Sequence, residues 1–131
     1  MHIAEYQTWL EEYDRARGWD RVLPSQTCVH AMEELGEVAR LVLYLDGYHA
    51  PDGRQPDDPR LLRARLAEEL ADCMTFLFKL AYQYGIDMET ALVGNQHKAT
   101  NRYSVAEGQA DTERYLARQT ENLARMKGEN E

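Results

Sequence analysis

Apolar residues return every three or four positions through most of this chain, the period of helices that bury one side. Ile3, Tyr6, Trp9 or Leu10 and Tyr13 mark one face of a first helix, with Glu5, Glu11, Glu12 and Asp14 assigned to the water side and Gly18 as its stop. A second helix opens at Pro24-Ser25, with Ser25 as N-cap and Pro24 barring an earlier start, and runs out near Asp46-Gly47. Its apolar stripe centres near Leu35 and takes in Ala31, Val38, Ala39, Val42 and Leu45. From Tyr48 to Arg60 three prolines and a glycine erase the period, so this stretch reads as loop: a lid, an inter-subunit arm or a floppy insertion. The third helix, ending at Tyr84-Gly85, centres its stripe near Leu70, with Leu66, Cys73, Met74, Leu77 and Ala81. Asp87 is a suitable N-cap for a fourth. Ser104 to Ala110 reads as linker, and Thr112, Tyr115 or Leu116, Gln119, Leu123 and Met126 give a last helix whose thin seam suits a neighbouring subunit or the first helix. The expected fold is therefore all-α: a bundle of four main helices plus a C-terminal helix, completed by oligomerisation.

Two of these helices carry near copies of one motif. MEELGEVARLVLYL (32–45) and AEELADCMTFLFKL (67–80) align without a gap, setting Glu34 on Glu69 and Glu37 on Asp72. Within each pair the acids lie three residues apart and share a stripe along the margin of the apolar face, while Glu33 and Glu68 point to water. Packing the two helices by equivalent faces presents the four carboxylates to one another. Such groups repel strongly in a partly dry place, so a cation is expected among them. Oxygen-only ligands favour a hard divalent ion, Mg²⁺ above all, with Mn²⁺ as a substitute. Any one acidic pair is more often plain solvated surface; its repetition at equal phase favours a site.

An E-x-x-E on one helix and an E-x-x-D on a later one resemble the signature of the all-α nucleoside triphosphate pyrophosphohydrolases. EELGEVAR with EELADCMTFLFKLAYQYGID is similar to the MazG branch, over about Tyr6 to Val105. The resemblance implies that Glu34, Glu37, Glu69 and Asp72 hold Mg²⁺ and carry the catalysis. It implies further that the end of the fourth helix meets the substrate's phosphates and sugar through Lys98, Arg102 and Tyr103. Asn101 or Asn95 would fill the family's asparagine position, whose spacing differs here. Trp19, in an Arg-Gly-Trp turn like that of many relatives, either stacks on a nucleobase or plugs the bundle end. His30, one turn before Glu34, either touches the base or the metal's surroundings or is simply packed or solvated, and Phe76, one turn after Asp72, would wall a pocket. A ferritin-like di-iron bundle needs Glu-x-x-His motifs, which these pairs lack.

Composition narrows the alternatives. With 131 residues, 1–131 is expected to be a single domain. A net charge of −8 and no basic run argue against duplex binding, though not against a nucleotide whose charge a metal carries. No apolar run reaches membrane-spanning length and the acidic start MHIAEYQTWLEEYD is unlike a leader, so a cytoplasmic protein is expected. Cys28 and Cys73 fit small buried thiols in a reducing compartment.

These observations point to Mg²⁺-dependent hydrolysis of a nucleoside triphosphate to the monophosphate and pyrophosphate, in control of the nucleotide pool, by a homodimer or homotetramer. No GxxxxGK[ST] loop exists to cradle phosphates through backbone N–H groups, so metal and side chains must position them. The competing reading is a non-catalytic helical dimerisation module with a structural metal or none.

Overall fold

The computed structural model describes residues 1–48 and 58–128, among which lie five α-helices. The first, α1, spans Ile3–Arg17. Glu5 reaches back to the His2 backbone N–H at 2.8 Å and closes its start. Gly18, at φ 72°, ends it by donating to the carbonyls of Arg15 and Asp14. Only glycine takes that left-handed turn cheaply, and a Cβ here would also sit 2.6 Å from the Arg21 guanidinium.

A 3₁₀ turn at Trp19–Arg21 leads into α2, Pro24–Leu45. Its N-cap is Leu23, with Pro24 as the first helical residue and no side-chain cap, which corrects the assignment of that role to Ser25. Proline tolerates this position because its missing N–H would be unpaired there in any residue. The next helix, α3, is Pro59–Gln83, with Asp58 accepting from the Arg60 N–H at 2.8 Å. It therefore begins inside the stretch read as loop; the lid or arm reading itself falls on 49–57, outside the described residues.

Asp87 caps α4, Met88–Arg102, by accepting from the Thr90 N–H at 2.9 Å. The last helix, α5, is Val105–Gly128, so the linker expected over Ser104 to Ala110 is helix almost from its start. The cause is a reciprocal cap: the Ser104 hydroxyl and backbone N–H donate to Glu107 at 2.6 and 3.0 Å, and the Glu107 N–H returns to the hydroxyl at 3.2 Å. Those bonds hold the Glu107 carboxyl below its ordinary range, the side-chain bond most.

The chain divides into two compact units, Met1–Ala91 and Leu92–Glu131. In the first, α2 and α3 lie antiparallel, as Ala31 beside Cys73 and His30 on Phe76 establish. Buried or half-buried residues that recur at one phase are Thr27, Ala31, Glu34, Val38, Leu41 and Leu45 on α2. On α3 they are Leu62, Leu66, Glu69, Cys73, Phe76 and Leu80. Both sets step by alternating fours and threes, as in a coiled-coil seam. This displaces the expected stripe centres: Leu35 is 56% exposed and Leu70 47%.

On the other side of α3, α1 packs through Tyr6, whose ring meets Phe78 edge-on at 5.4 Å and whose hydroxyl bonds Thr75 at 2.7 Å. Gln7 ties α1 to the start of α4, donating to the Ile86 carbonyl at 2.6 Å and accepting from the Met88 N–H at 3.0 Å. In the second unit every described residue is exposed. No described helix is long and apolar enough to cross a membrane.

Candidate active site

The inward phase of α2 and α3 brings Glu34 and Glu69 to the helix–helix seam, with Asp72 one turn after Glu69 at its edge. One carboxylate oxygen from each of the three lies within 4.8 Å of the others. Partial burial raises the Glu34 carboxyl above its ordinary pKa of 4.5, and the nearby charge of Asp72, a carboxyl–carboxyl hydrogen bond with Glu69 and the charges of Glu69 and Glu33 raise it further. Crowded acids that hold on to a proton are what a divalent cation relieves. The donor set is oxygen only, which fits a hard ion such as Mg²⁺ and offers nothing for zinc's preferred sulfur and nitrogen.

Glu37, the fourth expected carboxylate, does not join this group among the described residues. It pairs instead with Arg40, one turn further along α2.

Beside the three acids on the α1 side lies an apolar pocket of about 370 Å³. An aromatic ladder running along α1 into the 3₁₀ turn forms one wall: Tyr6 to Trp9 at 5.4 Å, Trp9 to Tyr13 at 5.2 Å, Tyr13 to Trp19 at 6.0 Å between ring centres. Facing it, His30 stacks on Phe76 at 5.4 Å. His30 precedes Glu34 by one turn and Phe76 follows Asp72 by one turn, so this wall runs on into the carboxylates. The His30 ring is held by its Nδ1, 2.8 Å from Glu33.

The inner end of the pocket is polar. Asp14, assigned from sequence to the water side of α1, is buried there: its Oδ2 takes the Lys79 ammonium at 2.8 Å and the Tyr82 hydroxyl at 2.6 Å. Four residues after Leu10, it falls on α1's inward face, and the charge is tolerated because Lys79 is buried with it. Burial, then the bond to Asp14, drives the Tyr82 phenol well above its ordinary pKa. Thr27 completes this end, 1% exposed, its hydroxyl without a partner among the described residues.

Of the expected substrate residues, Trp19 and His30 thus line one pocket beside the acids. Lys98, Asn101 and Arg102 sit exposed on the last turns of α4, with Tyr103 just beyond, all in the second unit. There Arg102 and Tyr103 share a groove of about 380 Å³ with Glu107 and Asp111. Sequence reading missed Thr27, Asp14 and Lys79. A lone lysine amid the apolar run of α3 was the available signal, since an unpaired charge there could not be buried.

Residues 24–105 match the family model described as MazG nucleotide pyrophosphohydrolase domain, which spans α2, α3 and α4 and so includes all three converging acids. The chain is also similar to a protein of Bacillus subtilis (strain 168) described as uncharacterized protein YvdC, with 32% identity over 107 residues, covering 81% of this chain and 100% of that one.

Proposed function

The chain belongs to the MazG family of nucleotide pyrophosphohydrolases, and from that premise we propose that it hydrolyses a nucleoside triphosphate, deoxy or modified forms included, to the monophosphate and pyrophosphate. The observation that carries this reading is the convergence of Glu34, Glu69 and Asp72 from two helices, one turn along those helices from His30 and Phe76 of an aromatic pocket. Mg²⁺, or Mn²⁺ in its place, would neutralise phosphate charge and acidify the attacking water.

The residues then divide the work. Glu34, Glu69 and Asp72 would hold the cation, and Glu37 would join them on release from Arg40. One of these carboxylates takes the proton from water as its oxygen attacks phosphorus. The bond between the α and β phosphates breaks, and pyrophosphate leaves with its electron pair. Trp19 and His30 hold the base in the pocket they line. Lys98, Asn101, Arg102 and Tyr103 bind phosphates and sugar, the two cations stabilising the leaving charge. The working unit is the whole chain, 1–131, in a cytoplasmic homodimer or homotetramer that clears unwanted nucleotides from the pool.

Phosphorus NMR of the products tests the reaction. Monophosphate and pyrophosphate are expected, dependent on added Mg²⁺. A diphosphate with orthophosphate as first products would refute the reading, and so would turnover undiminished in Glu69→Gln.

A further inference from the structure

The aromatic walls of the pocket grip any flat ring, so they do not choose among bases. Its inner end is different in kind. Thr27 lines it with a buried hydroxyl that has no partner among the described residues. The Asp14–Lys79 pair lines the same pocket; the Lys79 ammonium and the Tyr82 hydroxyl both meet Asp14 Oδ2, which puts Oδ1 forward as an acceptor and the ammonium as a donor. A buried hydroxyl left unmet is costly, and an apolar guest would seal the loss in. A guest that enters polar edge first removes it.

We propose that Thr27, with the Asp14–Lys79 pair behind it, is the selectivity determinant of this pocket, reading the hydrogen-bonding edge of a nucleobase inserted between the α1 aromatic ladder and the His30–Phe76 stack. The inference rests on the hydrolase reading above and adds to it where base identity is decided. The nucleobase is the ligand class that matches both halves of the pocket: a flat face for the rings, and on its far edge an N–H for Asp14 Oδ1 beside an acceptor for Lys79 or Thr27. A sugar lacks the flat face. A phosphate would meet the Asp14 carboxylate. The exposed rim, with Trp9 and Trp19 each 50% accessible, leaves the ring a way in.

The test is selectivity, measured as kcat/KM for the four standard deoxynucleoside triphosphates with Mg²⁺ in wild type, Thr27→Val and Thr27→Ser. Valine keeps the shape and removes the hydroxyl. For the preferred base Thr27→Val should lose on the order of tenfold, mostly through KM, so that the spread across the four bases narrows. Thr27→Ser should restore it. Removing the buried pair as a unit, in Asp14→Leu/Lys79→Met, leaves no unpaired charge and should narrow the spread further. An unchanged spread in Thr27→Val, with hydrolysis intact, overturns the proposal. Metal-free binding of the four nucleosides, followed by tryptophan fluorescence, separates this outcome from failure of the hydrolase reading. If nucleoside binding weakens in Thr27→Val while no triphosphate is cleaved by the wild type, the base pocket stands and the hydrolase reading falls.

Discussion

The α2–α3 pair has two flanks that differ in sequence character and in fate. On the flank covered by α1, Phe78 and Ala81 are buried and even charge is taken inside, as Asp14 with Lys79. On the other, Leu35, Val42, Leu70, Met74 and Leu77 stand exposed in one aliphatic strip. The covered flank is aromatic and polar and makes a pocket; the bare one is aliphatic. Isolated exposed leucines are ordinary, but five aligned on two neighbouring helices are the kind of patch that marks a protein interface. The internal repeat sharpens this: Leu35 corresponds to Leu70 and Val42 to Leu77, so the strip approximates its own two-fold image and suits a second copy of itself.

The largest effect should come from the covered flank. Asp14→Ala strands the Lys79 ammonium in a buried place and removes the acceptor of the Tyr82 hydroxyl. A loss of about 3–5 kcal/mol is expected from breaking one side of such a pair. Urea denaturation checks it; a loss under about 1 kcal/mol would mean the α1 side is as loosely held as the bare one.

The bare flank should respond in association instead of folding. Leu35→Glu with Leu77→Glu puts charges on the strip where the single chain has only water, so helicity by circular dichroism should stay near wild type. Sedimentation equilibrium should show a homo-oligomer in wild type and a monomer in the variant. A wild type that is monomeric at micromolar concentration would remove the second copy and with it this account of the strip.

The same two flanks explain what was legible in the sequence. Helix positions followed from the apolar period, and the stops at Gly18 and Gly85 and the cap at Asp87 were readable from residue type alone. The centre of each face was not. Period reports the middle of the whole apolar arc, and on α2 that arc runs from the seam through Leu35 to the bare strip. The seam lies at one side of it, about 100° from Leu35 and directly over Glu34. Averaging two surfaces thus put the carboxylates at the margin of a core, whereas Glu34 and Glu69 belong to the seam itself. Repetition of the motif made the acids visible regardless, because a matched pair on two helices does not depend on knowing the centre. Asp14 and Thr27 escaped because their meaning comes from partners on other helices, and no local pattern announces a buried pair. The start of α5 follows a local signal, the capping box Ser104-Val105-Ala106-Glu107, which outweighs the polar, glycine-containing composition that reads as linker.

The smallest effect concerns the seam that both flanks share. Glu34 keeps its proton to higher pH in the folded chain than the ordinary 4.5, because burial and the acids around it disfavour its charge. A carboxyl raised on folding contributes stability that is fully present below the unfolded pKa and fades as pH rises through the folded one. The metal-free protein should therefore lose a little stability on going upward from about pH 4.5, opposite to the slope that the hydrogen-bonded Glu107 imposes, whose stabilisation is lost as pH falls. Total slope mixes the two, so the informative quantity is wild type minus Glu34→Gln. That difference should show the decline, and it should vanish with millimolar Mg²⁺, since a cation among the acids favours their charged forms and expels the proton. Calorimetric titration of Mg²⁺ in buffers of different ionisation enthalpy gives the proton count directly: release in wild type at pH near the raised value, and less in Glu34→Gln. If the two proteins release equally, Glu34 is not the carboxyl on which the crowding falls, and the seam is no more strained than the flank that water covers.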